Sequence, residues 1–192
     1  MVMRHDQSAR QALGTLAVAY RHGTLVIWPP QEVRDYVNEL RRRLDPISHS
    51  YSEAHITLTQ PFREPVSKRV IGQVRRVLET EEPFAIAYGP LRSFLPRPIL
   101  WLDVQPSDRV LQLRRRLHAI GVFDLSLPHT DDFVPHMTLT EGQSGTPVDD
   151  ELFRVLEPTI ATGSFTCSGI AYIRPNDEFR FGVEREIAFH DA

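Results

Sequence analysis

Apolar and polar positions alternate strictly along His55-Ile56-Thr57-Leu58-Thr59 and again along His136-Met137-Thr138-Leu139-Thr140. A period of two is that of a half-buried β-strand, so in each stretch the histidine and both threonines share one face and the two apolar residues the other. The imidazole and the next hydroxyl then lie roughly 6.7 Å apart along the strand. Around these stretches the periodicity changes. Leu13 to Tyr20 and Thr24 to Trp28 read as two strands joined by a turn at Arg21-His22-Gly23. Val33, Tyr36, Val37, Leu40 and Leu44 form a helical stripe that predicts a helix over 31–44, opened by Pro29-Pro30 and stopped by Asp45-Pro46. A polar loop, Ser48 to Glu53, then leads into the first alternating stretch.

A second amphipathic helix is expected over 66–78. A strand pair from Phe84 to Val104 follows, turning at Pro96-Arg97-Pro98 and carrying no evident site signal. Ser107 is the expected cap of a helix over 108–120 that Gly121 stops, and a longer loop precedes the second alternating stretch. Thr146-Pro147-Val148-Asp149 predicts another helix start, with the helix running to Glu157. Ser164 to Phe189 reads as one long hairpin around Pro175-Asn176-Asp177.

The element order repeats, and so do residues. Leu40-Arg41-Arg42-Arg43-Leu44 before the first alternating stretch recurs as Leu113-Arg114-Arg115-Arg116-Leu117 before the second. The offsets are 113 − 40 = 73 for the helices and 136 − 55 = 81 for the stretches, so an insertion of 81 − 73 = 8 residues separates the halves. Helix, alternating strand, helix and hairpin thus occur twice. The expected fold is α+β, with two lobes related by an approximate two-fold axis. Each lobe is a mainly antiparallel sheet with helices on its outer face, and His55 stands opposite His136 across a central cleft.

Composition narrows the picture. A chain of 192 residues, 41% hydrophobic and 24% charged, fits one globular domain, with residues 1–12 expected to fray. A net charge of −3 and a pI near 6.2 disfavour bulk nucleic-acid binding. One cysteine, Cys167, allows no internal disulfide and no Cys/His metal framework. With no signal sequence and no run long enough to span a membrane, a cytoplasmic monomer without membrane attachment is expected.

Two imidazoles on opposite walls of a cleft suit displacement at phosphorus. The neutral ring takes a proton from the attacking oxygen and the protonated ring gives one to the leaving oxygen. Thr57 and Thr138 would donate to the non-bridging oxygens, and no cofactor or metal is required. The two Arg triplets read as solvated helix faces, Arg63 and Arg97 as loop cations, and Tyr51, Phe62, Tyr88, Trp101 and Tyr172 as core aromatics that could alternatively stack on a base. The other six histidines lack a partner pattern.

At the paired His-x-Thr motifs, with Pro135 before the second histidine and Pro61-Phe62 after the first motif, the sequence resembles the two-histidine (2H) phosphoesterase superfamily, 2′-5′ RNA ligase-like branch. The resemblance spans Leu13 to Phe189. It implies a metal-independent enzyme that opens 2′,3′-cyclic phosphates of RNA ends or nucleotides, with reverse 2′-5′ joining in some members. His55 and His136 would be acid and base and Thr57 and Thr138 the phosphate holders. A non-RNA substrate such as ADP-ribose cyclic phosphate, or a nucleotide- or RNA-end-binding module with little turnover, are the alternatives.

Overall fold

The computed structural model describes residues 18–190. The chain order is β1 (Thr24–Ile27), α1 (Gln31–Leu44), α2 (Pro46–Tyr51), β2 (Ile56–Thr57), α3 (Lys68–Leu78), β3 (Phe84–Ser93), β4 (Leu100–Gln105), α4 (Ser107–His118), β5 (His136–Thr140), α5 (Asp150–Leu156), a 3-10 turn (Glu157–Thr159), β6 (Gly163–Cys167), β7 (Gly169–Pro175) and β8 (Phe181–Ala188). Two four-stranded antiparallel sheets result, in the orders β2-β1-β7-β8 and β5-β4-β3-β6. The α+β, two-sheet expectation therefore stands, with each motif strand at the edge of its sheet.

The lobes are not the two halves of the chain. The β3–β4 hairpin of the first half pairs with the second motif strand, setting Asp103 opposite His136 and Trp101 opposite Thr138. The β7–β8 hairpin of the second half joins the sheet of the first motif strand through β1. Each sheet is thus built from both halves, and unzipping one half would leave both cores open. Those cores are continuous: Leu25, Ile56, Leu58, Leu102, Leu113, Met137 and Leu139, from both motifs and both sheets, belong to one buried cluster. The inward faces of the two motif strands are the apolar positions that the alternation marked.

Several local expectations shift. Residues 13–17 of the first expected strand lie outside the described residues, and Val18–Tyr20 is helical. The turn after it is as expected: Gly23 takes φ +75°, where a Cβ would meet the Ile173 carbonyl oxygen at 2.1 Å. Asp45-Pro46 ends α1 but also begins α2 in place of the expected loop, because Asp45 accepts from the Ser48 amide at 3.2 Å and Pro46 occupies the first helical position. Helix α3 starts at Lys68 with Ser67 as cap. Helix α4 makes no side-chain cap bond; the Ser107 amide donates instead to Gln105 Oε1 at 3.2 Å. Asp149, not Thr146, caps α5, accepting from Leu152 N at 2.9 Å. The expected C-terminal hairpin is three strands, because β6 crosses to pair with β3 in the other sheet. Alternation reports which face is buried and is silent on which sheet a strand joins.

Candidate active site

Two adjoining cavities open between the sheets, sharing Tyr20 and Thr57 in their walls. One, of about 410 Å³, holds His136 with Phe94, Arg97, Phe133 and His129; the other, of about 180 Å³, holds His55 with Arg41, Tyr51, Glu141 and Phe179. A larger hollow of about 470 Å³ beside Trp28, Arg34 and Cys167 contains no histidine.

The two imidazoles are held alike. His55 Nδ1 lies 2.7 Å from the Glu53 carbonyl oxygen and His136 Nδ1 2.6 Å from the Val134 carbonyl oxygen, in each case two residues back along the chain. A carbonyl can only accept, so Nδ1 carries the proton and the neutral ring presents the lone pair of Nε2. Burial drives the His55 pKa down to about 4 against the Glu53 carbonyl, which opposes it, with Arg41 and His136 adding in the same downward direction. Burial also lowers His136, opposed by the Val134 carbonyl. Strands β2 and β5 lie against each other, and the cavities that hold the two rings share the walls formed by Tyr20 and Thr57. Thr57 is half-buried and lines both cavities, whereas Thr138, half-buried on the strand face of His136, lies outside both linings. Among the described residues no group of three or more His, Cys, Asp or Glu is placed to hold a metal ion.

Thr59 and Thr140, the third polar positions of the motifs, are buried and structural. Thr59 Oγ1 accepts from Leu25 N at 3.1 Å, and Thr140 Oγ1 donates to Asp45 Oδ2 at 3.1 Å.

The arginine triplets are not simply solvated. Arg41 and Arg114, equivalent under the repeat (41 + 73 = 114), are 5% and 3% exposed, and each crosses to the motif of the other half. Arg41 Nη1 donates to the Thr138 carbonyl at 2.6 Å; Arg114 Nη1 donates to the Leu58 carbonyl at 2.9 Å. The residues that follow the triplets continue the relation. Asp45 Oδ2 accepts from Glu141 N at 2.9 Å, and its mate (45 + 73 = 118), His118, accepts through Nε2 from Gln60 N at 3.0 Å. Gln60 and Glu141 are themselves mates, since 60 + 81 = 141. Each helix end thus pins the chain just past the opposite motif, and the accepting His118 stays neutral because burial, with Arg114, lowers its pKa to about 4.

Sequence reasoning placed the histidines and threonines and missed their surroundings. Phe94, Trp101 and Phe133 enclose His136 with ring centroids 5.6, 5.6 and 5.8 Å away, although the Phe84 to Val104 segment carried no site signal. On the His55 side, Tyr51 packs on Phe179 at 5.9 Å, and Phe179 on Phe181 at 5.3 Å. Of the expected aromatics only Tyr51 lines either cavity; Trp101 lies buried under His136, and Phe62 and Tyr172 lie in the core. Arg97 reaches the larger cavity, its Nη1 3.3 Å from His129 Nε2, while Arg63 bonds the Gly121 carbonyl away from it.

The family model described as the 2′-5′ RNA ligase superfamily matches residues 29–178. A Geobacillus kaustophilus protein provisionally named a phosphoesterase is 33% identical over 130 residues, 66% of this chain and 72% of its own length. A Bacillus cereus protein named in the same way is 29% identical over 134 residues, 68% of this chain and 76% of its own. Among solved structures, TT0787 of Thermus thermophilus superposes with a TM-score of 0.60 at 17% identity over 87% of this chain and 97% of its own. Escherichia coli LigT crystallised with NADP+ superposes with 0.57 at 18% over 88% and 97%. The chain belongs to the 2′-5′ RNA ligase superfamily of two-histidine phosphoesterases.

Proposed function

We propose that this phosphoesterase opens 2′,3′-cyclic phosphates of nucleotides or RNA ends by paired imidazole acid–base catalysis, without a metal. The supporting observation is the matched Nδ1–H to carbonyl bonds, which leave two Nε2 atoms with the same tautomer on facing motifs. Between them, one ring can remove a proton from water while the other protonates the departing ribose oxygen. Thr57, in the wall common to both cavities, donates to a non-bridging oxygen whose charge grows in the transition state, and Thr138 is its mate. Escherichia coli LigT has been crystallised with 3′-AMP and with phosphate, and the first is the kind of monoester that such ring opening yields. The same site run in reverse would join a 5′-hydroxyl to a cyclic phosphate. We also infer a reducing, cytoplasmic setting, consistent with Cys167 standing buried and unpaired.

Ring opening of the four nucleoside 2′,3′-cyclic phosphates and of ADP-ribose cyclic phosphate, assayed in excess chelator, tests the reading; turnover of none of them contradicts it. Thr57→Val should lower kcat by about 10²-fold with a smaller change in KM, as for loss of one transition-state donor. A change confined to KM would instead assign Thr57 to ground-state binding.

A further inference from the structure

The smaller cavity carries features that paired imidazole chemistry does not use. Tyr51 packs on Phe179 at 5.9 Å, Phe179 on Phe181 at 5.3 Å and Phe181 on Tyr20 at 6.1 Å, so four rings run in series along the wall of the cavity that holds His55. Phe179 stands at the tip of the β7–β8 hairpin with φ +60°, a left-handed backbone that is unfavourable for a bulky aromatic. Asn176 imposes it. Its Oδ1 accepts from Glu178 N at 3.0 Å and from Arg180 N at 2.8 Å, and its carbonyl accepts from Phe179 N at 3.0 Å. The turn that strains Phe179 is also the one that sets its ring on the cavity wall. Glu141 lines the same cavity and is exposed there. Its amide is pinned to Asp45 Oδ2 at 2.9 Å, while among the described residues its carboxylate accepts no hydrogen bond and makes no ion pair. Arg41 acts on it only through space, since that guanidinium donates to the Thr138, Ser48 and Ser52 carbonyls. The cavity therefore offers flat apolar faces and one anion that can only accept.

We propose that the smaller cavity is a base-recognition site selective for guanine, in which Tyr51 and Phe179 stack on the ring and the Glu141 carboxylate reads its edge. The inference rests on the phosphoesterase reading above and names the substrate that the site prefers. Aromatic faces hold any base, because every base has a π face. The carboxylate discriminates. Guanine places N1–H and an N2 amino hydrogen side by side on its Watson–Crick edge, matching two carboxylate oxygens. Adenine and cytosine set a ring-nitrogen lone pair beside their amino group, and uracil flanks its single N3–H with two carbonyl oxygens, so each brings a lone pair against the anion. A second phosphate in this cavity would be repelled in the same way. With the base here, the cyclic phosphate on its ribose reaches Thr57, which this cavity shares with the larger one.

Calorimetric affinities of the four nucleoside 3′-monophosphates, which need no turnover, test the site. Guanosine 3′-phosphate should bind about 10- to 100-fold more tightly than each of the others, the worth of one bidentate pair, with inosine 3′-phosphate, which lacks the N2 amino group, in between. Glu141→Gln should abolish that lead, because an amide offers one acceptor and sets its NH2 against the second guanine donor. Phe179→Asn, which keeps a residue tolerant of the left-handed backbone, should weaken all four by about 10-fold without changing their order. The same order should appear in kcat/KM for the 2′,3′-cyclic phosphates. Equal affinities, an order not led by guanosine, no measurable binding, or a guanosine lead that survives Glu141→Gln would overturn the proposal. Any of these found while cyclic phosphates are still opened leaves the phosphoesterase reading intact. Absence of turnover with the guanosine lead in place would instead contradict that reading and leave the base site standing.

Discussion

Alanine at His55 or His136 should each lower kcat/KM for a 2′,3′-cyclic phosphate by about 10²- to 10⁴-fold, the range for a positioned general acid or base. The two losses should not multiply. Once one ring is gone the other has no concerted partner, so the double variant should sit close to the worse single variant. Neither variant should unfold the protein. Both rings are half-buried at sheet-edge strands; His136 gives up its bond to the carbonyl two residues back, and His55 gives up the same bond and a contact with Ser52 Oγ. Steady-state kinetics with a thermal melt on the same samples checks both statements, and a large loss of stability in either variant would count against reading these histidines as acid and base.

Asp45→Ala should show the largest stability effect. This carboxylate is fully buried and accepts from Ser48 N and Oγ, Thr140 Oγ1, Glu141 N, Gln143 N and Ser144 Oγ, joining the α1–α2 corner to the segment after β5. Removing it strands buried donors at about 1–3 kcal/mol each before relaxation, so a loss of about 3 kcal/mol or more is expected, a fall in Tm of roughly 6–12 °C for a domain of this size. Burial alone would raise the Asp45 pKa, but the bonds from Ser144, Glu141 and Ser48 outweigh it and hold the group below its ordinary value. A depressed carboxylate stabilises the fold above the unfolded-state pKa of about 3.9, and that contribution disappears as pH falls through the folded-state value. Asp45→Asn should therefore flatten the acid limb of stability against pH; an unchanged limb would show that Asp45 does not set it.

How much of this was legible beforehand depends on the range of the interactions involved. The motif strands, α1 and the antiparallel pairs follow from periods of two and 3.6, and the catalytic candidates from the repeated His-x-Thr pattern. The exchange of hairpins between halves was not legible, because Phe84–Ser93 and Gly169–Pro175 alternate in the same way whichever sheet receives them. Arg41 and Arg114 were misread as solvated for a related reason. Arg41 continues the Val33–Val37 stripe at four-residue spacing, and only tertiary structure supplies the carbonyls that make a buried guanidinium tolerable there. The repeat offset did hold a usable signal: adding 73 to Arg41 and Asp45 lands on Arg114 and His118, the residues that make the matching cross-links. Phe179 and Tyr20 had no such signal, reaching the site from a hairpin tip and from a helical turn before β1.

The central claim is that two facing imidazoles open a cyclic phosphate unaided by metal. It is tested most directly by following ring opening by phosphorus NMR in excess chelator, with wild-type protein and the His55→Ala/His136→Ala double variant side by side. Conversion of a cyclic phosphate to its monoester by the wild type alone is the predicted result. Equal conversion by both proteins, or conversion that stops when chelator is added, would contradict it.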